Sequence, residues 1–272
     1  KITIDGKPVS QSKLAQFIRI LWITPMMDRI WLDGSVERRR FLDRIVSNLV
    51  PDHTEHIINY YKALKQRNRL LKEKVSDFNW YAVIENQMAV LAVEIDRARR
   101  DVISKIEDKQ KNSNSTFPIA ELNLIGTVCT SAEEYQVAFA ESRKKDIYAG
   151  RTLLGPHLSD LSARYSSKDI DAKNCSTGEQ KALLISVIIA TAKIQLDIFQ
   201  TPPILLFDEV SAHLDGERRC LLYDELCNLN LQVFLTGTDI NIFRDLKGRA
   251  KYYEVVAKSG ESICSPINTT AF

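Results

Sequence analysis

The sequence predicts an α/β fold in which a lobe built on a parallel sheet is interrupted by a second, mostly helical lobe. Three observations carry that prediction. Beyond Arg151, short apolar runs alternate with helical stretches: Leu153-Leu154, Glu179 to Phe199, Ile204 to Phe207, Glu217 to Leu226 and Val233 to Leu235. Crossover connections between parallel strands produce this order. From Ser35 to about residue 110, apolar residues recur instead at intervals of three and four, the helical period. Ahead of them, Ile20-Leu21-Trp22-Ile23 stops at Thr24-Pro25 as a buried strand does, so the sheet lobe begins before the helices and resumes after them. The expected division is 1–34 and 149–272 for the sheet lobe and 35–148 for the helical lobe.

Taken in order, Ile2 to Val9 alternates apolar and polar residues around Asp5-Gly6 and predicts a hairpin. Ser12 to Ile20 has a short helical pattern. Ser35 can cap a helix from Val36 to Leu49, with Phe41, Leu42, Ile45, Val46 and Leu49 on one face. Pro51-Asp52 ends it and caps the next, where Ile57, Tyr60, Tyr61, Leu64, Asn68 and Leu71 keep the rhythm. Asp77 opens a third, whose seam Tyr81, Ile84, Met88, Leu91, Ile95, Ala98, Val102 and Ile106 resembles a coiled coil. A polar loop, Lys111 to Thr116, leads to a predicted strand at Ile119 to Val128 and a helix from Ser131 to Lys145.

A chain of 272 residues makes one large domain or two ordinary ones, and 44% hydrophobic with 26% charged residues is globular composition. No uninterrupted apolar run reaches the roughly 18 residues of a membrane span, so none is expected. A net charge of +2 gives no global attraction to nucleic acid; any such contact must come from local patches. Cys129, Cys175, Cys220, Cys227 and Cys264 are scattered and form no C-x-x-C pair, as in a cytoplasmic protein with reduced thiols.

The chemistry concentrates between Cys175 and Asp215. Ser176-Thr177-Gly178-Glu179-Gln180-Lys181 opens a nearly all-apolar helix, where free N–H groups and the helix dipole suit a phosphate. The same residues also make an ordinary helix N-cap. Ile204 to Phe207 ends in Asp208-Glu209: Asp208 can hold Mg²⁺ through water and Glu209 can polarise an attacking water. Alone, this too reads as a strand-to-turn junction; together the two halves have the order and spacing of a nucleotide site.

Cys175 to Lys181 resembles the signature motif of ABC-type ATPases, Ile204 to Glu209 their Walker B strand, and Ser211-Ala212-His213-Leu214-Asp215 their D-loop. Gly34 to Asp43, Tyr61 to Asn68 and Gly150 to His157 extend the resemblance to the RecF family of recombination and gap-repair proteins, from about Ile2 to Tyr253. It implies a partial P-loop ATPase lobe with an inserted helical lobe, and two subunits sandwiching ATP. Ser176, Thr177, Gly178, Glu179 and Gln180 would face the nucleotide held by the partner, with Asp208 on Mg²⁺, Glu209 on the water and Asp215 at the dimer interface. The implied partners are gapped or junction DNA, a second copy and other recombination mediators, with no membrane.

Departures accompany the match. No G-x-x-x-x-G-K-[ST] occurs among the ten glycines, so the phosphate loop is expected upstream of Lys1, in a protein longer by about a hundred residues. Without that loop these residues should not hydrolyse ATP; weak DNA-stimulated hydrolysis is expected of the complete protein. Ile23 to Asp28 replaces a Q-loop where the family reads Pro-Glu-Asp, and Leu158-Ser159-Asp160 stands where it favours Arg-Asp-Asp. Thr236-Gly237-Thr238-Asp239 occupies the switch position.

Arg38, Arg39, Arg40, Lys62, Lys65, Arg67 and Arg69 cluster on two helices, as a solvated face or, in a RecF-like clamp, as sequence-independent phosphate contacts. Arg97, Arg99 and Arg100 have Glu94, Asp96 and Asp101 to pair with. His53 and His56 read as surface histidines at a helix start, and His157 as structural. Two other functions compete: a different SMC-like ABC ATPase, and a non-enzymatic DNA- or protein-binding module.

Overall fold

The computed structural model describes residues 2–9, 17–113, 115, 117–127, 129–199, 202–212, 214–246, 248–258 and 260–267. The helical pattern from Ser12 to Ile20 falls largely outside the described residues, as does His213 of the D-loop stretch.

The chain opens with a hairpin, β1 (Thr3–Ile4) and β2 (Lys7–Pro8), turned by Asp5 and Gly6 at positive φ. β3 (Ile20–Ile23) follows, then a 3₁₀ turn over Pro25–Arg29. Three helices come next, α1 (Ser35–Leu49), α2 (His53–Lys72) and α3 (Phe78–Lys111). Ser35 lies inside α1, and the cap position belongs to Gly34; Asp77 caps α3 as expected, accepting from the Asn79 N–H. β4 (Ala120–Ile125) and α4 (Ala132–Ala149) complete this stretch.

The predicted strand at Leu153-Leu154 is absent. There the backbone N–H groups of Thr152 and Leu153 are held by the side chains of Asn68 and Asp146, so the segment is an irregular loop bound to α2 and α4. The strands are instead β5 (Asp160–Tyr165) and β6 (Ile170–Asp171), which join β4 in an antiparallel sheet, β4-β5-β6. Then come α5 (Thr177–Phe199), β7 (Ile204–Phe207), α6 (Gly216–Asn228) and β8 (Gln232–Leu235). β3, β7 and β8 form the expected parallel sheet, with Ile20 opposite Ile204 and Ile204 opposite Gln232. A hairpin of β9 (Tyr253–Lys258) and β10 (Glu261–Pro266), exposed along both strands, follows.

α5 is apolar around its whole circumference because it is covered on every side, by α1, α3, the parallel sheet and β4. By length and composition it could cross a membrane, against the expectation that no segment would, but 72% of its most apolar window is buried within the fold. It is a core helix. The larger hydrophobic cluster joins it to Leu21 and Ile23 of β3, Leu205 and Phe207 of β7, and Phe41, Ile45 and Val46 of α1. Val102 and Ile106 of α3 share that core, so packing is continuous past residues 34 and 148. The first half of α3 packs Met88, Ala92 and Ile95 against Tyr60 and Leu64 of α2 and Tyr135 and Phe139 of α4.

Candidate nucleotide site and basic face

β7 delivers Asp208 and Glu209 to its carboxyl end, beside the end of β3, where the Asp208 N–H bonds the Ile23 carbonyl. Thr236, just past β8, organises both. Its hydroxyl donates to Asp208 Oδ1 at 2.6 Å and accepts from the Glu209 N–H at 3.1 Å. Asp208 is exposed and Glu209 partly so. Glu209 has φ +51°, in the left-handed region that non-glycine residues seldom adopt. Gly237, after Thr236, has no room for a side chain: a Cβ would lie 2.4 Å from Ile242 Cδ1.

The glycine turn at the start of α5 is a reciprocal capping box. Ser176 Oγ accepts from the Glu179 N–H at 3.4 Å, and Glu179 Oε2 accepts from the Ser176 N–H at 2.9 Å. Lys168 bonds the other Glu179 oxygen, and these contacts, Lys168 foremost, hold the carboxyl down at about 2. Gln180 is buried, its amide donating to the Cys175 carbonyl and its own carbonyl accepting from Trp31 Nε1. Glu179 and Gln180 are therefore engaged inside the fold; Ser176 and Thr177 are exposed. Asp215 caps α6, accepting from the Arg218 N–H at 2.8 Å.

The sequence reading missed Lys181. It is 1% exposed, and its ammonium lies 3.0 Å from Asp28 Oδ2, the Glu209 carbonyl and the Ala212 carbonyl. A lone lysine in the first turn of an apolar helix was the available signal. Ser211 is buried as well, bonded to Tyr223 Oη, which donates to the Ile242 carbonyl.

The basic residues separate sharply. Arg67 is fully buried and bonds Glu85, Asp146, Thr152 and the Phe139 carbonyl, so it is withdrawn from the candidate phosphate contacts. Arg39 is buried on the Ser159 carbonyl, and Arg38 makes a two-pronged bond to Asp160 at 2.7 and 2.8 Å. Both hold α1 to β5. Arg40, Lys62, Lys65 and Arg69 remain exposed, Arg40 beside Glu37 and Arg69 beside Glu73. Arg99 bonds Asp43 through two nitrogens and reaches the Pro156 carbonyl, beyond the local acids expected for it. His53 is no surface histidine: it is 0% exposed and bonds Asp43. Burial would raise the Asp43 carboxyl, but His53 and Arg99 outweigh it and bring it below the usual range.

His157 bridges Tyr60 Oη, 2.9 Å from Nδ1, and the Thr152 carbonyl, 3.3 Å from Nε2. A carbonyl only accepts, so Nε2 carries the proton and Nδ1 accepts from Tyr60. Gly155 makes this approach possible, since a Cβ there would sit 2.4 Å from the tyrosine oxygen.

A parallel sheet ending in paired acids, fed by a capped glycine turn and interrupted by a helical insertion, is the architecture of an ABC-type ATPase lobe. No family model matches the chain. It is 42% identical over 266 residues to DNA replication and repair protein RecF of Allorhizobium ampelinum and to that of Rhizobium meliloti, in each case over 94% of this chain and 71% of the relative. The solved structure of the recombination mediator protein RecF-ATPrS superimposes with a TM-score of 0.77 at 18% identity, covering 96% of this chain and 72% of that one. The RecF-ATP structure gives 0.74 at 20% identity. The chain belongs to the RecF family of DNA replication and repair proteins.

Proposed function

We propose that the chain forms most of an ATP-dependent, cytoplasmic DNA-binding protein of recombinational gap repair, which dimerises as a clamp on gapped or junction DNA and works with other recombination mediators to load recombinase. The observation that carries this reading is the Asp208–Thr236–Glu209 arrangement at the exposed end of β7. Two of the similar solved structures are described as RecF with ATP or ATPrS, which supports ATP as the ligand.

The residues present fit nucleotide and Mg²⁺. Among the described residues no group of three His, Cys, Asp or Glu could hold a metal ion alone, so a cation at Asp208 would share phosphate oxygens and water, as Mg²⁺ does. ATP would supply the phosphoanhydride, and Mg²⁺ would offset its charge. Asp208 accepts the Thr236 hydroxyl through one oxygen, which leaves the other for a metal-bound water. Glu209 orients and polarises the attacking water. Ser176 and Thr177 are exposed at the start of α5 and face the partner's γ-phosphate, Ser176 through its hydroxyl proton since its N–H is held by Glu179, and Asp215 stands at the dimer interface. Arg40, Lys62, Lys65 and Arg69 contact the DNA backbone. These residues contain no G-x-x-x-x-G-K-[ST] and do not themselves supply a phosphate loop.

The test is binding of gapped duplex by the full-length protein with and without ATP. Wild type should bind more tightly with ATP and release DNA as ATP is consumed, whereas Glu209→Gln should bind and persist. Binding indifferent to ATP and to Glu209 would instead favour a non-enzymatic module.

A further inference from the structure

We infer that Lys181 is a positioning residue that sets the aim of the Glu209 carboxylate through the backbone; the inference rests on the hydrolytic reading of Glu209 above. A buried ammonium is costly unless every N–H finds a strong acceptor. Lys181 meets that condition with three acceptors at 3.0 Å, two of them carbonyls of the turn that carries Glu209 into the D-loop stretch. The third, Asp28, ties in the segment that follows β3. One side chain of α5 therefore fastens the residues after β3 and after β7 to the helix that begins with the glycine turn.

The need for such a hold lies in Glu209 itself. At φ +51° it occupies a conformation it would leave if released. Its peptide groups are gripped from both sides: Thr236 accepts from its N–H, and Lys181 donates to its carbonyl, which also accepts from the Ala212 N–H at 3.1 Å. The far end of the turn is fixed separately, by Ser211 on Tyr223. Losing the ammonium would thus loosen the Glu209 peptide, leaving its carbonyl with the Ala212 N–H alone, while β7 and the Ser211 anchor stay in place. Relaxation toward the right-handed region would swing the carboxylate away from where it points now.

Lys181→Met in the full-length protein tests this. DNA-stimulated hydrolysis should fall about 10–100-fold in kcat, with KM for ATP changing less than about threefold. In a Glu209→Gln background the same substitution should cost less than about threefold, because both act on one group. Without nucleotide, hydrogen exchange at amides 209–212 should accelerate by about tenfold or more while amides 183–192 of α5 keep their protection. Fully multiplicative rate losses, or unchanged exchange at 209–212, would overturn the inference. A wild-type rate for Glu209→Gln alone would instead sink the hydrolytic reading. Should the Met variant not fold, Lys181→Gln, which keeps two N–H donors but loses the charge and a methylene, carries the same expectations.

Discussion

His157 makes the protein's stability sensitive to mild acid. Burial lowers its pKa from 6.5 to about 4; the nearby guanidinium groups of Arg39 and Arg67 push the same way, while the bond to Thr152 and the Asp146 carboxylate resist. In the unfolded chain the imidazole takes a proton near pH 6.5, and in the fold only near pH 4. Stability is therefore complete above pH 6.5, declines as pH falls through that window, and levels off below pH 4. At pH 4.5 the unfolded state gains about a hundredfold in weight from protonation and the folded state very little, a loss of about 2.5 kcal/mol. Gln can offer Tyr60 the same acceptor and Thr152 the same donor without titrating. Denaturant unfolding at pH 7 and pH 4.5 should show wild type losing about 2.5 kcal/mol more than His157→Gln, or roughly 5–10 °C in Tm. Comparing the two proteins cancels the carboxylates, among them Glu179, which titrates lower still. Parallel losses in both would refute the burial argument.

Arg67→Met should leave the Asp146 carboxylate, 0% exposed, with no cation and Glu85, 2% exposed, with Arg143 alone, and cost about 3–5 kcal/mol, whereas Arg69→Met should stay within about 0.5 kcal/mol; thermal unfolding separates them. Lys62→Glu with Lys65→Glu should leave Tm unchanged and lower the slope of log binding against log salt by about 2 on duplex DNA. An unchanged slope would return that face of α2 to solvent.

Much of the fold was legible because local pattern and tertiary environment agree. α5 is apolar on all sides and buried on all sides, and β7 runs straight into its acids. β5 was missed although Leu161, Ala163 and Tyr165 alternate, because Leu153-Leu154 offered a denser apolar pair. Density misled: that loop is held by polar side chains from neighbouring helices, which no local pattern records. Arg67 was grouped by charge with its neighbours, yet it shares the i, i+3, i+4 face of Tyr60, Ala63, Leu64, Leu70 and Leu71, all buried. A helical projection would have set it apart from Lys62, Lys65 and Arg69. Lys181 could be named but not placed, since its acceptors lie far along the chain in the turn after β7 and beside β3.

The pairing of Ile20 with Ile204 also dictates when this protein can become itself. Synthesis at roughly 5–20 residues per second leaves β3 outside the ribosome for roughly 10–40 s before its neighbour strand exists. In that interval α1 to α4 can coil and dock, since their contacts are near in sequence, while Leu21 and Ile23 wait uncovered. The candidate nucleotide site, which needs β3, β7 and Thr236 together, consequently forms later than the helices. Slower translation or scarce chaperones should cost active molecules before they cost folded helices.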